Sequence, residues 1–268
     1  IKFDENEEYD EGYVIEKIFT LLEDSVKLRM RSDVPFGAYL SGGVDSSAVV
    51  ALMSGFSDKP IKTFSLGYED EFENKEADLY YARKVSKAYN TEHYEYIMSH
   101  EMDSVVGAFD QPFSGTISTY FLSKLIKKHV KVALSGDGAD ELFGSYMTHR
   151  VAQPMFHFNR LYDRVKSNSL THAEEQLFSP CDIDFLENLY GKSNGDELKW
   201  RYHLYLMSEE EKMHLLSNHF KSLLENTNSF SIVKDNFSRL TARDPLNRIL
   251  EMEWNTQLPD QVLAFVDF

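Results

Sequence analysis

A chain of 268 residues with 42% hydrophobic and 13% aromatic content can bury a sizeable core, as one large domain or two small ones. Its mean hydropathy of -0.42, and the lack of any run near the roughly 18 apolar residues a spanning helix needs, lead us to expect a soluble protein. With 44 acids against 28 bases, the formal charge of -16 disfavours general binding to nucleic acid or anionic membranes, so a phosphate ligand would need oriented backbone amides or a metal ion.

After an acidic lead-in, Val14, Ile18, Leu21, Leu22 and Val26 recur at three- and four-residue steps, which predicts a helix with one buried face running to about Met30. Phe36 to Leu40 reads as a strand, Ser41-Gly42-Gly43 as a tight turn, and the residues from about Asp45 as a helix. A second strand spans Ile61 to Leu66 and is closed by Gly67. Only one helix separates these strands, so a right-handed parallel crossover follows. A helix from Lys75 to Tyr89, a strand from His93 to Met98, and helices near Glu101 to Phe109 and Ser118 to Lys128 come next. The last strand, Val130 to Leu134, runs into a second Gly-rich turn, Ser135-Gly136-Asp137-Gly138-Ala139-Asp140-Glu141, which opens a helix. Beyond Arg150 the spacing is helical. The expected domains are an α/β nucleotide-binding core over 1–150 and a helical remainder over 151–268.

The single cysteine, Cys181, excludes an internal disulfide and fits a reducing, cytoplasmic setting. The start at Ile1 shows no secretory leader, and the abrupt stop at Phe268 leads us to expect a fragment of a longer protein. Cys181 reads as a packing residue, and His93 as a structural one. His214 and His219, five apart, miss the step that would put two ligands on one helix face. Tyr202, Tyr205 and Phe156 to Phe158 read as core. Lys124, Lys127, Lys128, His129 and Lys131 form a basic cluster, best taken as a solvated face.

In open parallel sheets, ligands bind beyond the carboxyl ends of the strands, and both Gly-rich turns follow strands. Gly42 and Gly43 admit close backbone approach, the helix start near Asp45 offers unpaired N–H groups, and Ser46 and Ser47 add hydroxyls. That set can hold a phosphate, although capping alone would also select such residues. Asp45 would repel the phosphate unless Mg²⁺ lies between them. Asp137, Asp140 and Glu141 could extend a metal shell or supply a base. A Walker A loop is excluded because no Lys follows Gly43, and a dinucleotide fingerprint because Glu141 stands where Gly is needed.

Ser41-Gly42-Gly43-Val44-Asp45-Ser46-Ser47 resembles the SGGxDS pyrophosphate loop of the ATP pyrophosphatases, which cleave ATP between the α and β phosphates. Asp33 to Gly37, Thr63 to Gly67, Asp110 to Phe113, Leu134 to Gly144 and Leu258-Pro259-Asp260 with Asp267 resemble the synthetase domain of the asparagine synthetases. The resemblance implies a parallel-sheet ATP pyrophosphatase core, adenine nucleotide alpha hydrolase-like and Rossmann-related, with a mainly helical C-terminal half. It implies a ligase that adenylates the aspartate side chain and lets ammonia displace AMP. Leu40, Leu66, Ser135 and Gly136 would contact ATP, Ser41 to Ser47 would grip pyrophosphate, and Asp45 and Asp140 would face Mg²⁺. Asp137 would take the proton of the attacking ammonia. The family's N-terminal glutaminase domain, with its terminal cysteine, would lie outside this chain, and a homodimer is compatible with the family. Gln111, Ser114-Gly115-Thr116 and Phe268 depart from the family pattern, and the later segment carrying a lysine is missing. A related amidotransferase acting on another carboxylic acid, in a sugar or peptide natural-product pathway, is the alternative. Intact Asp45, Asp137 and Asp140 argue against a binding-only module.

Overall fold

The computed structural model describes residue 5 and residues 8–68, 75–98, 102–108, 117–204, 207–224 and 228–263. The stretches Asp110 to Phe113 and Ser114 to Thr116, and the positions Tyr205, Asp267 and Phe268, therefore lie outside the described residues. The chain forms two compact units, one of Glu8–Ala139 with Pro259–Phe268 and the other of Ile1–Glu7 with Asp140–Leu258.

The first unit is a layered α/β sandwich. Helix α1 (Glu11–Arg29) starts at Asp10, whose carboxylate accepts the Tyr13 N–H at 3.2 Å. Strand β1 (Phe36–Tyr39) leads to α2 (Val44–Phe56), β2 (Lys62–Tyr68), α3 (Lys75–Ala88) and β3 (Glu92–Met98). Short α4 (Met102–Val106), then α5 (Ile117–Ile126) and β4 (Val132–Leu134) complete it. All strand pairs are parallel, in the order β3-β2-β1-β4.

Strand alternation sends successive side chains to opposite faces, and two cores result. Ala38, Leu40 and Leu134 pack with Val49, Val50 and Met53 of α2, Val26 of α1 and Ala82 of α3. Phe64 packs on the other face with Leu125 and Ile126 of α5, flanked by Tyr39 and Ala133. Only the C-terminal turns of α1 join this core. Val26 is buried and Leu22 partly so, whereas Ile18 and Leu21, expected on the buried face, are exposed. Strand β2 also passes through Gly67 rather than stopping there, pairing Gly67 with Ile97. A Cβ on Gly67 would sit 2.5 Å from Leu79 Cδ1, so this glycine allows α3 to approach the strand.

The second unit is helical: α6 (Ala139–Phe143, whose first residue belongs to the first unit), α7 (Met147–Lys166), α8 (His172–Gln176), α9 (Ile183–Ser193) and α10 (Glu197–Tyr202). Then come α11 (Glu209–Leu215), α12 (Asn218–Leu223), α13 (Ser229–Ser238), α14 (Pro245–Asn255) and a π-helical turn (Leu258–Leu263) that ends in the first unit. Val151, Ala152, Met155 and Phe158 form the buried stripe of α7, against Leu186, Leu189, Trp200 and Ile249. Pro154 lies inside α7 and has no N–H to offer the Arg150 carbonyl one turn back. The Cys181 thiol approaches that carbonyl instead, at 3.9 Å.

Candidate functional site

The strand order reverses between β1 and β4. From β1 the chain moves outward to β2 and β3, then returns to the other side of β1. Open parallel sheets bind ligands beyond the strand carboxyl ends at such a switch point. The loops leaving β1 and β4 are the two Gly-rich turns singled out in the sequence.

The first loop is built closely onto its surroundings. Leu40 N–H donates to the Phe64 carbonyl at 2.9 Å, and the buried Ser65 hydroxyl donates to the Leu40 carbonyl. Gly42 has φ of 87°, and a Cβ there would come within 2.6 Å of the Asp78 carbonyl oxygen and 2.7 Å of the Ala82 nitrogen. Gly43 is the N-cap of α2 and offers no side chain to the first-turn N–H groups, which keeps them available to an anion. Ser46 Oγ accepts the Ser41 N–H at 3.2 Å, lies 3.0 Å from Ser41 Oγ, and donates to the Gly43 carbonyl at 3.3 Å. Ser47 Oγ is buried and has no hydrogen-bond partner among the described residues. Asp45 is exposed in the first turn of α2.

Gly136 brings the second loop onto the first. A Cβ at this position would meet the Ser46 nitrogen at 2.8 Å and the Asp45 carbonyl carbon at 2.9 Å. Leu40, Ser41, Gly42, Gly43, Asp45, Ser46, Ser47, Ser135, Gly136 and Asp137 are thus held at one end of the sheet, with Leu66 near the end of neighbouring β2. Asp137 is exposed. Its charge acts on the half-buried phenol of Tyr39, whose pKa is raised by burial and further by Asp137, with the Ser123 hydrogen bond opposing.

Asp140 and Glu141 belong to the helical unit and differ in character. Asp140 accepts a hydrogen bond from the Ser145 hydroxyl. Glu141 is 1% exposed, accepts the Tyr146 hydroxyl at 2.9 Å on Oε1, and leaves Oε2 buried without a partner among the described residues. Burial, then the Glu141 hydrogen bond, pushes the Tyr146 phenol far up. The Tyr146 N–H donates to His149 Nδ1 at 3.2 Å, which leaves Nε2–H to bond Glu253 at 2.6 Å. Thr148 also donates to Glu253, at 3.1 Å. Sequence reasoning did not single out Tyr146, His149 or Glu253. His149 and Glu253 are 104 positions apart, and only folding pairs them.

Cys181 is half-buried among apolar side chains, and burial pushes its thiol pKa up. His93 Nδ1 lies 2.9 Å from Thr63 Oγ1 at the amino ends of β2 and β3, the opposite edge of the sheet from the loops, and burial lowers its pKa. Lys124 Nζ lies over the Tyr120 ring at 4.6 Å, while Lys127, Lys128 and Lys131 are exposed.

Among the described residues, no three or more His, Cys, Asp or Glu side chains are grouped to hold a metal. Mg²⁺ usually binds through one or two carboxylates plus phosphate oxygens, and the exposed Asp45 beside an anion-accepting helix start suits that mode. Among the described residues, no helix is long and apolar enough to cross a membrane.

The asparagine synthase family model matches residues 17–267. The chain is 37% identical over 213 residues to a glutamine-hydrolysing asparagine synthetase homologue of Methanocaldococcus jannaschii, a match covering 76% of this chain and 38% of that protein. Against asparagine synthetase [glutamine-hydrolyzing] 1 of Bacillus subtilis, identity is 30% over 271 residues, 96% of this chain and 40% of that protein. The chain therefore spans about two fifths of the length of these relatives. Its structure is similar to the NMN synthetase of Francisella tularensis at a TM-score of 0.39 and 13% identity, covering 95% of this chain and 98% of that one. The chain belongs to the asparagine synthase family.

Proposed function

We propose that this chain is the synthetase portion of an ATP-dependent amide-forming ligase, whose substrates are aspartate and ammonia and whose products are asparagine, AMP and pyrophosphate. The observation that carries this reading is the α2 N-terminus at the switch point, uncapped at Gly43 and packed against Gly136, in a chain of this family. A carboxylate is a poor acceptor for ammonia, so it must first be activated as a mixed anhydride with AMP. In this reading Leu40, Leu66, Ser135 and Gly136 seat the adenosine part of ATP. The first-turn N–H groups of α2, with Ser41, Gly42, Gly43, Ser46 and Ser47, hold the leaving pyrophosphate as its charge develops.

Asp45 would hold Mg²⁺, whose chemistry there is to neutralise phosphate charge. Asp137 accepts a proton from ammonia as nitrogen attacks the acyl carbon, and AMP leaves with the bridging oxygen. Ammonia would come from a glutaminase domain in the longer protein.

ATP/pyrophosphate exchange by the full-length protein, over a panel of carboxylic acids, tests the reading. Aspartate-dependent exchange, lost in Asp45→Ala, is expected. Exchange driven only by another acid would replace aspartate, and no exchange with any acid would remove adenylation altogether.

A further inference from the structure

We propose that Ser65 is a positioning residue for the first Gly-rich loop, setting the Leu40–Ser41 peptide from which that loop departs and so preorganising it for pyrophosphate. The inference rests on the reading of Ser41 to Ser47 as the loop that holds pyrophosphate.

The register brings the two residues together. β1 and β2 pair as far as Tyr39 with Phe64, so one step further Leu40 lies opposite Ser65. There the backbone ladder gives way to a side chain. The Leu40 N–H still donates to the Phe64 carbonyl at 2.9 Å, but the Leu40 carbonyl accepts the Ser65 hydroxyl. Leu40 is 1% and Ser65 2% exposed, so neither group can turn to bulk solvent instead. Alanine would fill nearly the same space with no hydroxyl to desolvate, which makes the bond the physical reason for a serine here.

The effect passes along one rigid unit. A trans peptide sets its carbonyl and its N–H on opposite sides of a plane, so a donor that fixes the Leu40 carbonyl also aims the Ser41 N–H. That N–H donates to Ser46 Oγ at 3.2 Å, and Ser46 Oγ donates to the Gly43 carbonyl at 3.3 Å. The Gly43 N–H donates to Ser41 Oγ, also at 3.3 Å. These bonds close the loop on itself, while the Gly43 cap leaves the first-turn N–H groups of α2 to a ligand. A loop already ordered loses less entropy when the anion arrives. Thr63, two residues back on the same face of β2, is the contrast. Its buried hydroxyl lies 2.8 Å from Thr91 Oγ1 and 2.9 Å from His93 Nδ1, on the β3 side and not on the loop.

The test titrates inorganic pyrophosphate and AMP separately into the full-length protein by calorimetry, in magnesium buffer. Ser65→Ala should weaken pyrophosphate about fivefold, the scale of one neutral hydrogen bond, and change AMP by less than about twofold. Ser65→Cys, close in size but a weaker donor, should fall between, and it carries the test if the alanine variant does not fold. Thr63→Ala should leave the ratio of the two affinities at its wild-type value. Equal losses for both ligands in Ser65→Ala would reduce the hydroxyl to a support of the sheet and overturn the inference. So would a selective pyrophosphate loss of the same size in Thr63→Ala. Amide hydrogen exchange at Ser41 supplies a readout without ligand: it should quicken in Ser65→Ala and not in Thr63→Ala. A wild-type protein that binds no pyrophosphate would sink the pyrophosphate-loop reading, while the exchange rate at Ser41 would still decide whether Ser65 sets that peptide.

Discussion

Two glycines make opposite predictions under one substitution. A methyl group at Gly136 would press on the backbone of Asp45 and Ser46, neither of which can give way without opening the α2 start. Gly136→Ala should therefore destabilise the protein by about 1–3 kcal/mol, the usual range for overpacking, and weaken ATP binding with it. Gly191 lies in α9 and would meet nothing within 4 Å, so Gly191→Ala should stabilise by roughly 0.5–1 kcal/mol through helix propensity alone. Denaturant melts of the pair check both signs, and equal effects would mean that the Gly136 contact is not tight. Cys181 offers a chemical check. Its thiol is half-buried, raised in pKa and directed to the carbonyl that Pro154 leaves without a helical donor. It should react slowly with thiol reagents at neutral pH and rapidly once the chain is unfolded. Rapid labelling of the native protein would contradict this placement.

At the scale of elements, Glu251 ties α14 to the segment before it. Its carboxylate accepts the Thr241 N–H at 2.8 Å, the Thr241 hydroxyl at 2.8 Å and the Ala242 N–H at 2.8 Å. Burial works to raise its pKa, but the backbone bonds from Ala242 and Thr241 outweigh it, and the net shift is downward. A depressed carboxylate pKa stabilises the fold above the unfolded value, near 4.5, and that contribution disappears as pH falls through the folded value. Glu251→Ala leaves the buried Ala242 N–H without this acceptor and should cost about 2–3 kcal/mol near neutral pH, less as the medium becomes acid. A cost that does not change with pH would show that the charge is irrelevant. The same contrast between local and distant contacts explains what the sequence made legible. Each Gly-rich loop is contiguous in sequence, and Phe36 to Tyr39 and Val132 to Leu134 are short apolar runs, so the loops and the strands feeding them were readable. Val130 and Lys131 were expected in β4 but bond elsewhere: the Val130 N–H closes the end of α5 at Ile126, and the Lys131 N–H reaches the Pro35 carbonyl. Glu141 looked equivalent to Asp140 because acids one residue apart on a helix carry no burial signal in sequence. The pairing of His149 with Glu253 is set by packing of α7 on α14, which periodicity within either helix cannot register.

For the molecule as a whole, the charge of -16 sets a background against which every anion must be bound. Duplex DNA should not be retarded by this protein at about 0.15 M salt, where screening acts over roughly 8 Å. Retardation that fades steeply with added salt would reveal a basic patch strong enough to overcome the net charge. The parallel topology also sets the timing of synthesis. Gly37 pairs with Lys62, made soon afterwards, but Phe36 pairs with Val132, ninety-six residues later. At translation rates of roughly 5–20 residues per second, β4 leaves the ribosome on the order of 5–20 seconds after β1. Through that interval one edge of β1 is unpaired, and the α2 start waits without Gly136 against it. The nascent chain thus carries an anion-attracting loop and an open strand edge at the same time, a period in which a chaperone or a nucleotide would meet half of the switch point before the other half exists.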